Sequence, residues 1–283
     1  SPSVQRATPL LARVWPMAVL LGEALTRTVG LPRRLSGCPV RHQRLATGPL
    51  PDNAVVLVED WFTALFDAGL RRDAMAGLTA LGYAPRVLRL RPAGKAALNL
   101  GDLVRFHAMA AALIADLQPL ADRGIPLIGL DPTLVMLLRQ DYPKQGLKPP
   151  QVLLAQEFLT QEIAAGKGFP VASRPGSMRL MSHCTETTGV PEAARMWAKV
   201  FAVLGLALET PATGCCGMAG MFGHQRRNQA VSASLFDLSW RANLAGDQAQ
   251  VAATGFSCRC QSERLAQKPL RHPLGLIADA LSR

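Results

Sequence analysis

The sequence is organised around one stretch, Gly214-Cys215-Cys216-Gly217-Met218-Ala219-Gly220. Two adjacent cysteines between glycines are a poor choice for an apolar core. Glycine permits backbone conformations and close approaches that other residues do not. The stretch therefore predicts a tight loop that directs both sulfurs toward one site. We expect Gly214, Gly217 and Gly220 to bring backbone N–H groups close to the sulfurs.

The other C-terminal cysteines lie on either side of this loop, with Cys184 before it and Cys258 and Cys260 after it. A cluster of thiolates suits zinc, copper(I) or an iron–sulfur centre. Buried, inert thiols are the ordinary alternative, but they seldom include a glycine-flanked pair. We therefore predict five candidate metal ligands: Cys184, Cys215, Cys216, Cys258 and Cys260. Whether Cys258, Cys260 or both are ligands stays open.

The adjacent cysteines also indicate the kind of metal centre. Two neighbouring side chains seldom chelate one ion, because their Cβ atoms diverge, but they readily reach two metals of one cluster. This favours a multi-iron, iron–sulfur centre over a single zinc ion. A zinc-stabilised interaction domain without redox activity is one alternative, and a metal-free scaffold is another. The sixth cysteine, Cys38, stands alone and is interpreted as an ordinary thiol.

The composition narrows the classes of protein. A hydrophobic fraction of 49% and a charged fraction of 18% are typical of a globular chain. The net charge of +11 is interpreted mainly as solvated surface, with docking to an acidic partner as the alternative. Aromatic residues make up only 5%, and no nucleic-acid-binding motif is present, so we expect no nucleic-acid partner. No apolar run is long enough for a transmembrane segment. Free cysteines favour a reducing compartment, so we predict a cytoplasmic protein, with peripheral attachment at the inner membrane as an option.

Alternating strand and helix patterns predict an α/β fold with two pseudo-duplicated lobes. Strands are predicted at Val55–Val58 and Arg86–Leu90, and helices at Pro9–Val29, at about Asp102–Leu120 and at Gln151–Ala164. Each lobe is expected to be a small, mostly parallel sheet flanked by helices, and a helical arm precedes both. The order of apolar runs, helices and glycines in the first lobe repeats in the second at a spacing of about 125 residues. The overlay pairs Gly129-Leu130 with Gly255-Phe256. We predict an arm at 1–51, a cysteine-free lobe at 52–143, a helical connector at 144–176 and a cysteine-bearing lobe at 177–283.

The first lobe keeps this plan without the sulfurs. Asp60 falls near the position of Cys184, and Pro92-Ala93-Gly94 falls on Cys215-Cys216-Gly217. Asp131-Pro132-Thr133-Leu134 falls on the last cysteines. We therefore expect the first lobe to bind no metal. Asp60, Thr63, Asp131 and Glu186 form no recognisable acid–base pair by spacing, so no catalytic residue is predicted.

The cysteine pattern resembles the cysteine-rich CCG domain family. That family occurs in one of the subunits of heterodisulfide reductase and in the iron–sulfur subunits of glycolate and lactate oxidases. It also forms the C-terminal part of large FAD-linked D-2-hydroxyglutarate and D-lactate dehydrogenases. The segments around Cys184, Cys215-Cys216-Gly217 and His272-Pro273 are most similar to that last group. The resemblance covers about 52–283.

The resemblance implies an electron-transfer domain or subunit with an iron–sulfur cluster of the 4Fe-4S type. Such a domain relays electrons from a flavin to an acceptor, either a quinone or another carrier. The FAD would lie on a flavoprotein partner segment, and the isolated chain is not expected to be catalytic alone. One departure concerns the last pair, Cys258-Arg259-Cys260, which is one residue tighter than the usual Cys-x-x-Cys. An overlay of the lobes places Ser257 and Cys260 on those positions, whereas proximity favours Cys258.

Overall fold

The computed structural model describes residues 17–31, 50–173, 176–245 and 250–282. In the arm, a helix occupies 17–26 (α1), within the predicted helical stretch. The predicted loop around Cys38 lies outside the described residues. The domain boundaries proposed above stay predictions.

The first lobe contains a sheet of four parallel strands in the order β2-β1-β3-β4. The inner strand β1, Ala54–Val58, is a continuous apolar run that is buried along its whole length. Burial on both faces is the expected environment of such a run in a parallel sheet. The strands are β1 Ala54–Val58, β2 Ala84–Val87, β3 Leu127–Gly129 and β4 Leu153–Leu154.

The second lobe contains a sheet of three parallel strands in the order β6-β5-β7. These are β5 Ser177–Met181, β6 Ala207–Glu209 and β7 Gln250–Ala253. A parallel bridge between Ala252 and Arg271 extends this sheet beside β7. That bridge takes the place that β4 takes in the first sheet. The predicted α/β fold with two similar parallel sheets is confirmed.

Helices cover both sheets and connect the strands. In the first lobe they are α2 Trp61–Phe66, α3 Ala68–Ala80, α4 Lys95–Asn99, α5 Leu103–Ala121, α6 Pro132–Met136, α7 Tyr142–Lys144 and α8 Ala155–Ala164, with a π-helical turn at Leu137–Asp141. In the second they are α9 Cys184–Gly189, α10 Ala193–Val203, α11 Gln229–Ser239, α12 Arg241–Leu244, α13 Phe256–Ala266 and α14 Pro273–Leu281, with 3₁₀ turns at Phe222–His224 and Arg226–Asn228. Among the described helices, none is both long and apolar enough to cross a bilayer.

Helix caps and glycines make the repeat visible at single residues. Gly94 and Gly217 both have a φ of +83°, which places them in the left-handed region. Asp60 caps α2 directly after β1, as His183 caps α9 directly after β5. The predicted pairing of Gly129 with Gly255 is wrong by two residues. Gly129 ends β3, whereas Gly255 caps α13 as Asp131 caps α6.

The two lobes share one apolar core and exchange their last helices. A single cluster of buried side chains includes Leu57 of β1 and Leu180 of β5. Helix α8, which follows the first sheet, packs against α10 of the second lobe, and α14 packs against α3 of the first lobe. The predicted connector helix is thus the counterpart of the C-terminal helix. Its preceding residues Leu153 and Leu154 belong to the first sheet.

Candidate metal centre

Three segments of the second lobe carry the candidate ligands. Cys184 is the first residue of α9, and Cys258 is the third residue of α13. Cys215 and Cys216 lie on the loop between β6 and α11. The first two positions follow the carboxyl ends of neighbouring strands, β5 and β7, where ligands bind in open parallel sheets. All five described cysteines are free thiols.

Electrostatic interactions link four of these thiols in a series. Cys184 interacts with Cys215, Cys215 with Cys216, and Cys216 with Cys258. Cys216 and Cys258 are buried, whereas Cys184 and Cys215 are half-buried. The Cys258 end of this series of thiols therefore lies in the protein interior, whereas the Cys184 end lies closer to the surface.

The surroundings of Cys184, Cys215 and Cys216 raise the pKa of each of these three thiols and keep them protonated at neutral pH. Burial and the neighbouring Cys215 raise the pKa of Cys184. The interaction of the Cys215 thiol with Cys216, together with burial, raises the pKa of Cys215. The bond from Cys215 lowers the pKa of Cys216, but Cys258 and burial raise it above its usual range. Binding a metal centre would therefore release protons.

The loop that carries Cys215 and Cys216 is fixed by close backbone packing. An added Cβ at Gly217 would overlap the carbonyl oxygen of Ser232 in α11, so only glycine fits there. The hydroxyl of Ser232 donates to the carbonyl oxygen of Gly217 over 2.7 Å, and the indole N–H of Trp240 donates to that of Gly214 over 3.0 Å. The loop is thereby tied to α11 at both ends of the cysteine pair.

Backbone N–H groups lie beside some of the candidate sulfurs. The N–H of Gly217 donates to the sulfur of Cys215 over 3.3 Å. The N–H of Met218 acts to lower the pKa of Cys216, and the N–H and hydroxyl of Thr185 act to lower the pKa of Cys184. Such bonds stabilise a thiolate and tune the potential of a bound cluster. Gly220 has a φ of +64°, and an added Cβ there would meet open space.

Cys260 is not part of this series of interacting thiols. On an α-helix, residues two apart lie on nearly opposite faces. The side chains of Cys258 and Cys260 therefore point in different directions. Burial raises the pKa of Cys260 to about 11, and Arg264 acts against that rise. The sequence analysis missed Arg264, whose charge also reaches Cys216. Its position four residues after Cys260 on one helix face was the available signal.

A buried polar group lies under the N-terminus of α9. Glu186 is 1% exposed and accepts hydrogen bonds from Gln156 over 2.6 Å, from the hydroxyl of Thr254 and from the N–H of His183. Burial raises the pKa of Glu186 to about 7. The Nδ1 atom of His183 accepts from the N–H of Thr185. His183 thus caps α9 through this ring nitrogen.

Acidic side chains from the first lobe approach this group. Burial and the charge of Asp131 raise the pKa of Asp60 to about 6. The negative charge of Asp131 also interacts electrostatically with His183 and with Glu186. Spacing along the chain did not reveal this cluster, because its members come from different lobes. The carboxyl ends of the two sheets therefore face each other across a polar contact.

The donor chemistry of the four interacting thiols fits an iron–sulfur cluster. Among the described residues, no group of three or more His, Cys, Asp and Glu side chains has the geometry to hold a single metal ion. An iron–sulfur cluster takes one sulfur at each of several irons, so its ligands do not need to meet at a single ion. The N–H donors near three of the sulfurs also suit a thiolate-bound cluster.

Comparison with known proteins relates the chain to dehydrogenases. It is 42% identical to a D-2-hydroxyglutarate dehydrogenase of Pseudomonas putida and 35% identical to that of Haemophilus influenzae. The matches cover 82% and 81% of this chain and 23% of each relative. The chain therefore spans about a quarter of the length of these relatives, and it corresponds to their C-terminal part.

A second group of relatives is more distant. The chain is 28% identical to one subunit of an anaerobic glycerol-3-phosphate dehydrogenase of Escherichia coli. That match covers 56% of this chain and 41% of the relative. No protein-family model matches the chain, so the resemblance to the CCG domain family rests on the motif residues themselves. Similarity to parts of two different dehydrogenases supports a dehydrogenase-associated role.

Proposed function

We propose that this chain is the iron–sulfur electron-transfer segment of a flavin-linked dehydrogenase that oxidises a 2-hydroxyacid of the D-2-hydroxyglutarate type. The observation that carries the proposal is the series of pairwise interactions that links four thiols from three segments. The similarity to D-2-hydroxyglutarate dehydrogenases supports the substrate class. The chain spans only about a quarter of those relatives, which supports a flavin on a separate segment.

In this proposal Cys184, Cys215, Cys216 and Cys258 hold the cluster. When bound, an iron–sulfur cluster accepts and releases one electron at a time. The N–H groups of Gly217 and Met218 hold the sulfurs in place and stabilise their negative charge.

Apolar packing and a half-buried cation would set the environment of the cluster. Cys216 and Cys258 belong to a buried cluster with Met218, Phe236 and Trp240, which keeps water from their side of the site. The guanidinium of Arg264 lies close enough to Cys216 for their charges to interact. Its positive charge favours the reduced form of a neighbouring group. Electrons would pass through the half-buried side, near Cys184 and Cys215, toward a quinone or another carrier.

Cysteine substitutions test the ligand assignment. We expect Cys258→Ser to lower the iron and acid-labile sulfide content of anaerobically purified protein at least about tenfold, the effect of losing one ligand in a metal site. Cys260→Ser, on the same helix, is the matched control and should retain both. Equal loss in the two variants would contradict the assignment. Stoichiometric zinc without sulfide in the wild type would support the zinc-stabilised interaction domain instead.

Activity measurements test the electron-transfer role. The isolated chain should oxidise no D-2-hydroxyglutarate, because it offers no flavin-binding motif. Joined to a flavoprotein segment, it should take electrons from reduced flavin, and Cys215→Ser should stop that transfer while substrate still reduces the flavin. Substrate oxidation by the chain alone, or undiminished transfer after Cys215→Ser, would overturn the proposal.

A further inference from the structure

The helix that carries Cys258 lacks a cap of its own. Helix α13 begins after Gly255, which has no side chain to accept a hydrogen bond from the first turn. The first N–H groups of a helix need an acceptor, and Ser, Thr, Asp or Asn at the cap position usually supplies it. The N-terminus of α13 must therefore find its acceptor elsewhere.

Close packing with the other cysteine helix explains why glycine occupies this position. An added Cβ at Gly255 would overlap the imidazole ring of His183. His183 in turn caps α9, the helix that begins with Cys184. The two cysteine helices thus approach each other so closely that α13 cannot carry its own capping side chain.

The missing acceptor comes from the first lobe. One carboxylate oxygen of Asp131, Oδ2, accepts a hydrogen bond from the N–H of Phe256 over 2.9 Å. The other, Oδ1, accepts from the N–H of Thr133 over 2.8 Å and caps the aspartate's own helix α6. Asp131 is 5% exposed, so the carboxylate is held between the two lobes. It also places a negative charge at the positive end of the α13 dipole.

We propose that Asp131 is a positioning residue for the candidate metal centre: it caps the helix of Cys258 from the opposite lobe and thereby fixes the distance of Cys258 from Cys216. The cysteine-free lobe then contributes to the site through a hydrogen bond in place of a ligand. The inference rests on the proposed function only in treating Cys258 as a ligand. The hydrogen bond and its effect on Cys258 do not depend on a bound cluster.

The substitution Asp131→Ser separates the two roles of the aspartate. Serine is a good N-cap residue and retains the bond to Thr133 within α6. Its single hydroxyl oxygen cannot reach Phe256 as well. Asp102 caps α5 in the same lobe through one oxygen and is exposed, so Asp102→Ser is the matched control. Asp131→Asn, which keeps the size of the side chain, is the second variant in case the serine variant does not fold.

The first readout uses metal-free protein. The rate at which Cys258 is alkylated, measured by mass spectrometry, should rise about fivefold in Asp131→Ser, the factor that corresponds to loss of one helix cap. Cys215, on the loop, should change little, and Asp102→Ser should match the wild type. An unchanged rate at Cys258, or an equal rise at every cysteine, would overturn the proposal.

The second readout uses reconstituted protein and detects what a merely structural role would not. Removing a negative charge near the cluster should shift its midpoint potential to a more positive value in Asp131→Ser and Asp131→Asn, and not in Asp102→Ser. An unchanged potential in both Asp131 variants would contradict the positioning role. If the wild type takes up no iron and sulfide, the proposed function fails, while the alkylation result still decides the inference about Asp131.

Discussion

At the scale of single residues, Gly217 is a position in the candidate site where the local structure requires glycine. Its φ of +83° is strained for other residues, and an added Cβ would overlap the carbonyl oxygen of Ser232. We expect Gly217→Ala to lower the free energy of unfolding by about 3 kcal/mol, combining left-handed strain with overpacking. The displaced loop should also make Cys215 and Cys216 react faster with a thiol reagent.

Gly220, in the same loop, provides the control. It also has a positive φ, of +64°, but an added Cβ there meets no other atom. Gly220→Ala should therefore cost only the backbone strain, about 1 kcal/mol. Urea unfolding of the two variants measures the difference. Equal losses would show that the contact with Ser232 does not hold the loop.

The pH dependence of folding tests the buried carboxylates. Burial and Asp131 raise the pKa of Asp60 to about 6, well above its usual value of 3.8. The folded protein therefore holds this proton more tightly than the unfolded chain does. The resulting stabilisation is complete at low pH and is lost as the pH rises through about 6.

Asp60→Asn should remove this dependence, because asparagine still caps α2 but does not ionise. The stability of the variant relative to the wild type should rise by about 2 kcal/mol between about pH 4 and pH 7, less than the full pKa difference implies because solvent screens part of the charge. Thermal unfolding across that pH range measures the effect. A difference between variant and wild type that is constant with pH would contradict the interpretation.

At the scale of elements, the sequence predicted the helices and strands well where the local pattern was strong. The buried run Ala54–Val58 and the helix Leu103–Ala121 occur almost as expected. The second strand lies at Ala84–Val87, slightly before the predicted Arg86–Leu90. Strand β4, at Leu153–Leu154, was included in a predicted helix. Such a short strand has no period of its own and is defined only by its pairing with β3.

In the candidate site, too, some features follow from local sequence patterns, whereas others depend on contacts between residues far apart in sequence. Helical periodicity could have separated Cys258 from Cys260, since two residues along a helix turn a side chain to nearly the opposite face. No local pattern could have revealed Asp131 as the cap of α13, because the bond to Phe256 joins two lobes that are far apart in sequence. The glycine at 255 was visible, but its reason, the ring of His183, was not.

At the scale of the whole molecule, the lobes are joined more firmly than a sequence duplication implies. The guanidinium of Arg259 in α13 forms an ion pair with Asp67 of the first lobe over 2.8 Å, and Arg271 pairs with Asp73 over 2.7 Å. Arg259 is 6% exposed, so its pair is largely shielded from water. Together with the exchanged helices α8 and α14, these contacts predict that the described lobes unfold as one cooperative unit.

The contact between α3 and α14 offers a direct test of this cooperativity. An added Cβ at Gly77 in α3 would overlap the carbonyl oxygen of Leu274 in α14, whereas at Gly69, in the same helix, the nearest atom would lie 3.4 Å away. Alanine normally stabilises a helix relative to glycine by up to about 1 kcal/mol. Gly69→Ala should therefore be neutral or slightly stabilising. Gly77→Ala should destabilise the protein by about 2 kcal/mol through overpacking between the lobes.

Denaturant unfolding distinguishes one cooperative unit from two. Trp197 and Trp240 are fully buried in the second lobe, so tryptophan fluorescence reports mainly on that lobe, while circular dichroism reports on all helices. Because Gly77 belongs to the first lobe and Leu274 to the second, Gly77→Ala should move both transitions together to lower denaturant concentration. Fluorescence that keeps the midpoint of the wild type, while the circular dichroism transition moves, would mean that the second lobe unfolds independently.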